Sequence, residues 1–221
     1  MSKVLDVLWK IVIPRSPVFT TNEVAKASRM SVDQASRDLG KLAARELIVH
    51  VVPGVWAATT DSRYSPYAVV PALLRLIAPG ARGYVSLLSA LSLHGMIQQV
   101  PRAIHVVLSR RTRPVRRTPA ATYRFYVMSV PLVDGYVPYE TRTFDIATQE
   151  KALFDVLYLS ARRGTRFLHL PELDLPSGFS VSKLLGWIEK IPYPPLRLAV
   201  SHRWRNLREL LERERAADAV R

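Results

Sequence analysis

The stretch Ser31 to Glu46 constrains this chain more than any other. Ser31 followed by Gln34 has the spacing of a capping box, in which each side chain satisfies the other's orphan backbone N–H. Val32, Ala35, Leu39, Leu42 and Ala43 then fall on one side of a 3.6-residue period and form an apolar stripe. The opposite side carries Gln34, Arg37, Lys41 and Arg45. One helix is therefore expected to have a core face and a long polar face with three positive charges. Such a face suits duplex DNA, where residues near a helix start reach base edges and later cations sit on phosphates. The plain alternative is a solvated amphipathic helix.

The flanking residues favour the first reading. Met1 to Ile13 reads as a helix with Val4, Leu5, Leu8, Ile11 and Val12 on one face, broken by Pro14 and Pro17. Thr20 to Glu23 is a second capping box, and the short helix it opens runs out by Ser28. Arg29 to Ser31 then leaves a tight turn before the long helix. Leu47 to Val52, the turn Pro53-Gly54 and Val55 to Ala58 read as a β-hairpin, placed where a wing follows a helix-turn-helix. Residues 1–60 are thus expected to form a winged helix-turn-helix, with a small α+β domain that binds protein as the alternative. Ser31, Gln34 and Arg37 are the candidates for base readout and Arg29, Lys41 and Arg45 for phosphate contact. His50, with neighbouring hairpin residues, is the candidate for a minor groove.

A chain of 221 residues exceeds one such unit, so a second core is expected over residues 61–221, after the polar linker Thr59 to Pro66. At 48% apolar residues the chain is not largely disordered. It has no cysteine, which excludes disulfides, thiol catalysis and cysteine-ligated zinc and is compatible with a reducing cytoplasm. Asp6 and Lys10 interrupt the first apolar residues, unlike a signal peptide, and no uncharged apolar run approaches the ~18 residues of a membrane span. A soluble, cytoplasmic protein without membrane contact is expected.

The net charge is +14. Residues 1–60 hold eight Lys/Arg against five Asp/Glu, or +3, and the remainder holds 24 against 13, or +11. Such an excess favours nucleic acid, anionic surfaces or acidic proteins as partners. Its densest part is SRRTRPVRRTP, with Arg110, Arg111, Arg113, Arg116 and Arg117 in eight residues. This stretch reads as a hairpin loop that is either solvated or in contact with nucleic acid or an acidic partner.

The rest of the second domain reads as mixed α/β, giving an α+β chain. Tyr67 to Ala78 is a helix with Pro71 in its first turn. Gly83 to Met96 carries an apolar face of Leu87, Leu88 and Leu91, small residues for close contact, His94 in a last turn and Gly95 as the residue after it. Ile104 to Leu108 and Thr122 to Val130 are strands, and Tyr136 to Phe144 adds edge strands. A helix starts near Thr148, buries Ala152, Leu153, Val156, Leu157 and Leu159, and has Glu150, Lys151 and Asp155 as its polar features. Val181 to Lys190 is a short helix, Pro192 to Pro195 a break, and His202 to Ala217 a helix with Trp204, Leu207, Leu210 and Leu211 on one side. Its alternating arginines and glutamates suit a solvated surface. Two turns of leucine leave monomer and dimer both open.

GYVSLLSALSLHGM followed by FDIATQEKALFDVLYL, with the later LPELDLPSGFS, resembles the AbiEi-type abortive-infection antitoxin and transcriptional regulator family. The resemblance runs from the N-terminal unit to about Trp187. It implies a phage-defence protein of a type IV toxin–antitoxin system with two activities. The winged helix would repress its own promoter at inverted repeats, and the C-terminal domain would neutralise a co-encoded nucleotidyltransferase-like toxin without a tight complex. By motif match, Ser86, Ser89, His94, Gly95, Thr148, Glu150, Lys151 and Asp155 are the positions carried over. The arginine density of 110–117 is no recognised part of that pattern. A plain transcription factor whose second domain binds a ligand or partner is the alternative.

An enzyme is not expected. Asp145, Glu150 and Lys151 are reminiscent of metal-dependent nucleases, but those set Glu and Lys two apart on a strand, whereas Glu150 and Lys151 are adjacent at a helix start and diverge. The five histidines are scattered without ligand spacing, Ser89 and His94 lie off a common face, and no phosphate-cradling glycine loop or nucleophile elbow is present. No cofactor and no metal is expected.

Overall fold

A computed structural model describes the backbone of residues 3–140, 142–162 and 172–218, and the side chains of 4–140, 142–162 and 172–213. Met1, Thr141, Leu170, Pro171 and the side chains of Glu214 and Arg215, each part of an expected element, lie outside the described residues. The chain is α+β, with two sheets and eight α-helices among the described residues.

The N-terminal elements are α1 (Lys3–Val7), prolonged by a wider turn over Leu8–Val12, then β1 (Val18–Thr20), α2 (Thr21–Ser28), α3 (Val32–Ala43), β2 (Val49–Val52) and β3 (Val55–Ala57). The strands pair antiparallel in the order β1-β3-β2. Thr20 opens α2 with a complete capping box, since its hydroxyl accepts from Glu23 N while Glu23 Oε2 accepts from Thr20 N at 2.6 Å. Ser31 opens α3 by half of one: its hydroxyl accepts from Gln34 N at 3.2 Å, but the Gln34 amide turns away to Asp38. Gly54 at φ +79 makes the hairpin turn that Pro53-Gly54 predicts.

Alternation along the strands gives this small sheet two buried faces. Phe19 and Trp56 join Val4, Leu8, Val24, Leu39 and Leu42 in a core with the helices. Val18, Val55 and Ala57 point the other way, into the large core of the second unit. Hydrophobic packing therefore crosses residue 60. Arg63 bridges the same junction, donating to the carbonyls of Ile13 and Pro14 at 2.7 and 2.9 Å while Asp61 pairs with it at 2.8 Å.

The second sheet has six strands: β4 (Gly83–Val85), β5 (Ile104–Leu108), β6 (Val115–Arg117), β7 (Thr122–Val127), β8 (Tyr136–Pro138) and β9 (Asp145–Ala147), in the order β6-β7-β5-β4-β9-β8. Helix α4 (Val70–Ile77) follows a tighter turn at Pro66–Val69. Then come α5 (Leu87–Leu93), α6 (Gln149–Ala161), α7 (Val181–Glu189) and α8 (Pro194–Asp218). The segment Gly83 to Met96 divides into a strand and a helix, with Leu87 in a left-handed conformation at φ +56 where they meet. β5 and β7 run parallel, so the arginine stretch is a crossover carrying an edge strand, not a hairpin loop. α8 begins eight residues earlier than expected, because Pro194 and Pro195 occupy a first turn, where a missing N–H costs nothing. Of its leucines, Leu211 is buried while Leu210 is about half exposed at 51%.

Helix α6 departs most from expectation. Every residue from Glu150 to Leu159 is buried, including Glu150, Lys151 and Asp155, its expected polar features. α5, α7 and α8 enclose it. Gly135, at φ +75, lies so close to α7 that a β-carbon there would stand 2.3 Å from Trp187 Cζ2. Only glycine fits.

Candidate nucleic-acid interface

On α3 the centre of the apolar stripe is buried, with Ala35 and Leu39 at 0% exposure and Leu42 buried beside them, whereas Val32, expected to open the stripe, is 49% exposed and Ala43 is half-buried; the opposite side faces outward. Arg29, Ser31, Arg37, Lys41, Arg45 and His50 are exposed and Gln34 is half-buried. Four side chains form a chain of hydrogen bonds along this surface. Arg37 Nη2 donates to Gln34 Oε1 at 2.8 Å, Gln34 Nε2 to Asp38 Oδ2 at 3.0 Å, and Lys41 Nζ to Asp38 Oδ1 at 3.0 Å. The hydrogen bond from Gln34, then that from Lys41, hold the Asp38 carboxyl below its ordinary range. Asp38 is the residue that sequence reasoning passed over, although its spacing of four from Gln34 and three from Lys41 is that of neighbours on a helix.

The remaining candidates lie outside this row of hydrogen bonds. Arg29 ends α2 in a left-handed conformation at φ +52, and Met30 N closes the turn on Ala25 O at 3.1 Å. Arg45 follows the last turn of α3. His50, on β2, leans its ring on Trp56 at a centroid distance of 4.6 Å. Trp56 in turn donates from Nε1 to Thr21 Oγ1 at 2.9 Å, which ties the hairpin to the start of α2.

The eight positions carried over by resemblance mark a seam inside the second unit. Ser86, Ser89, Lys151 and Asp155 are fully buried and Glu150 nearly so, while His94 and Thr148 are half-buried and Gly95 is exposed. Lys151 Nζ donates to Asp155 Oδ1 and, at 2.7 Å, to Tyr84 Oη. Tyr84 and Ser86 both donate to Asp155 Oδ2, at 3.1 and 2.7 Å. The rings of Tyr84, Phe154 and Trp187 stand 5.0 to 5.3 Å from the ammonium. Burial pushes the Lys151 ammonium down and the Asp155 carboxyl up, and each group's attraction pulls the other back.

The other positions tie neighbouring elements together. His94 Nε2 donates to Ala147 O at 2.7 Å, and Gly95 at φ +70 turns the chain out of α5. Thr148 caps α6, and Glu150 Oε1 accepts from Ser180 N, the start of α7, at 3.0 Å. Ser89 pairs not with His94 but with His105, whose Nδ1 is 3.1 Å from its hydroxyl. Burial, aided by Arg124, pulls the His105 imidazole down to about 4. Glu150 and Asp155 serve separate partners, and among the described residues no group of acids and histidines is arranged to hold a metal ion.

Arg110 donates to Pro79 O at 3.1 Å, Arg116 and Arg117 lie on the edge strand β6, and Arg111 and Arg113 are exposed before it. No ion pair among the described residues involves any of the five. No described helix is long and apolar enough to cross a membrane. No family model and no curated protein matches the chain.

Proposed function

We propose that residues 1–60 are a winged helix-turn-helix that binds duplex DNA through α3, and that the protein is a cytoplasmic transcriptional autorepressor of the AbiEi antitoxin type. The observation that carries the DNA-binding part is the organised outer face of α3. A helix kept only for packing needs no oriented row of Arg37, Gln34, Asp38 and Lys41 on its exposed side. The order helix, strand, helix, helix, hairpin, with a β1-β3-β2 sheet, supports this reading, since it sets α3 beside a hairpin that can reach a neighbouring groove.

The antitoxin part rests on the resemblance. Most of its eight positions are buried in the seam between β4, β9, α5, α6 and α7. In this reading they maintain the second domain, and its surface acts on the toxin.

Two experiments test the two parts separately. Arg37→Ala should relax sequence preference at one base pair, at a cost of about 1–3 kcal/mol. Lys41→Ala should weaken all duplexes alike and flatten the salt slope by about one unit. Equal losses on operator and random DNA for both variants would remove the assignment. For the antitoxin, a co-encoded nucleotidyltransferase-like gene is induced alone and with the full chain. Rescue of growth supports the reading, whereas a toxic neighbour that is not rescued, or a harmless one, ends it. A regulator whose second domain binds a ligand would then lead, favoured by the arginine-lined cleft beside β6.

A further inference from the structure

Three of the crossover arginines line a concave site. Arg113, Arg116 and Arg117, with Thr112, line a cleft of about 430 Å³ whose other wall is Ile77, Val115 and Phe125. The strand register divides this lining between the two faces of the sheet edge. Arg116 pairs with Tyr123, so its side chain shares a sheet face with Tyr123 and Phe125, and Ile77 from the end of α4 closes that side, whereas Val115 and Arg117, paired with Arg124 and Thr122, alternate to the opposite face.

Two further features point to an anionic ligand with a flat apolar part. First, none of these guanidinium groups has a carboxylate partner among the described residues, so their mutual repulsion is uncompensated within the described structure. Planar guanidinium forks match phosphate oxygens two at a time. Second, the volume falls in the range of small-molecule sites, which combine apolar walls with a few polar anchors. Duplex DNA would use the arginines and leave the apolar wall idle, because its bases are stacked inside. A free nucleotide uses both.

We propose that this cleft binds a free nucleotide, its phosphates on Arg113 and Arg116 and its base against Ile77 and Phe125. The proposal is independent of DNA binding by α3.

The test is calorimetric titration of the full chain with ATP, GTP, inorganic triphosphate and a short random-sequence duplex. At least one nucleotide should bind about tenfold more tightly than triphosphate, since only the nucleotide covers the apolar wall. The double variant Arg113→Ala/Arg116→Ala should weaken that binding tenfold or more, about what two charge-assisted hydrogen bonds supply. Arg37→Ala should leave it unchanged. Ile77→Ser, half-buried at the end of α4, should weaken nucleotide and leave triphosphate binding unchanged, since it alters only the apolar wall. The proposal is overturned if triphosphate binds as well as both nucleotides, or if neither nucleotide binds. It is also overturned if a folded arginine variant binds like the parent, or if duplex displaces nucleotide through Arg113 and Arg116 at lower concentration.

Discussion

Lys151 and Asp155, one turn apart on α6, form an ion pair with both side chains at 0% exposure. Tyr84 and Ser86, from β4 and the residue after it, complete the pair by hydrogen bonding. Removing one member strands the other charge in an apolar surround, which costs about 3–5 kcal/mol, whereas replacing both by apolar groups of similar volume is far milder. Lys151→Met and Asp155→Leu should therefore each lose several kcal/mol in urea unfolding, and the double variant clearly less than the sum. A coupling energy near zero would show that the two charges do not depend on each other.

Polarity alone puts this pair on the surface, and the reason is separation along the chain. Tyr84 lies 67 residues from Lys151 and 71 from Asp155, so nothing near α6 announces a partner. Periodicity serves well where a helix has one wet side, as in α2 and α3, and fails where α6 is enclosed all round. The caps at Thr20, Ser31 and Thr148 are legible because capping is local. The parallel pairing of β5 with β7 is not, since register there depends on contacts outside both strands. Asp38 was locally legible, yet an acid on a basic face is easily passed over.

Arg29 separates stability from binding. A non-glycine residue held left-handed costs about 1–2 kcal/mol, and glycine returns part of that by loosening the unfolded chain. Arg29→Gly should thus stabilise the protein by roughly 0.5–1 kcal/mol. If Arg29 lies on a phosphate, the same change weakens every duplex and lowers the salt slope by about one. Higher thermal stability with undiminished DNA affinity would remove Arg29 from the interface.

His105 makes stability fall in mild acid. Its folded value, about 4, lies below the ordinary 6.5, so the imidazole stays neutral beside Ser89, Tyr126 and Arg124 while the unfolded chain takes a proton. The unfolded state then binds more protons, and stability rises with pH through this window. The contribution is fully present above about 6.5 and is lost as pH falls towards 4. Between pH 7 and pH 5 it amounts to about 2 kcal/mol. Unfolding free energies from urea titration at the two pH values should differ by that much more in the parent than in His105→Asn; equal differences would mean His105 titrates normally.

Asp38 places one negative charge in the middle of the proposed DNA-binding row. It holds Gln34 and Lys41 in place, and it repels phosphate. Asp38→Asn keeps a hydrogen-bonding side chain and removes the charge. Affinity for random duplex should rise several-fold, because the same surface then carries one more net positive charge. Preference for the operator over random DNA should fall, because an amide holds Lys41 less firmly and leaves Gln34 free to choose other rotamers. Binding isotherms on both duplexes at two salt concentrations separate the effects. If random-duplex affinity is unchanged, phosphates do not pass over this part of α3. If affinity rises equally on both duplexes, Asp38 is a charge on the path of the backbone and Gln34 reads no base.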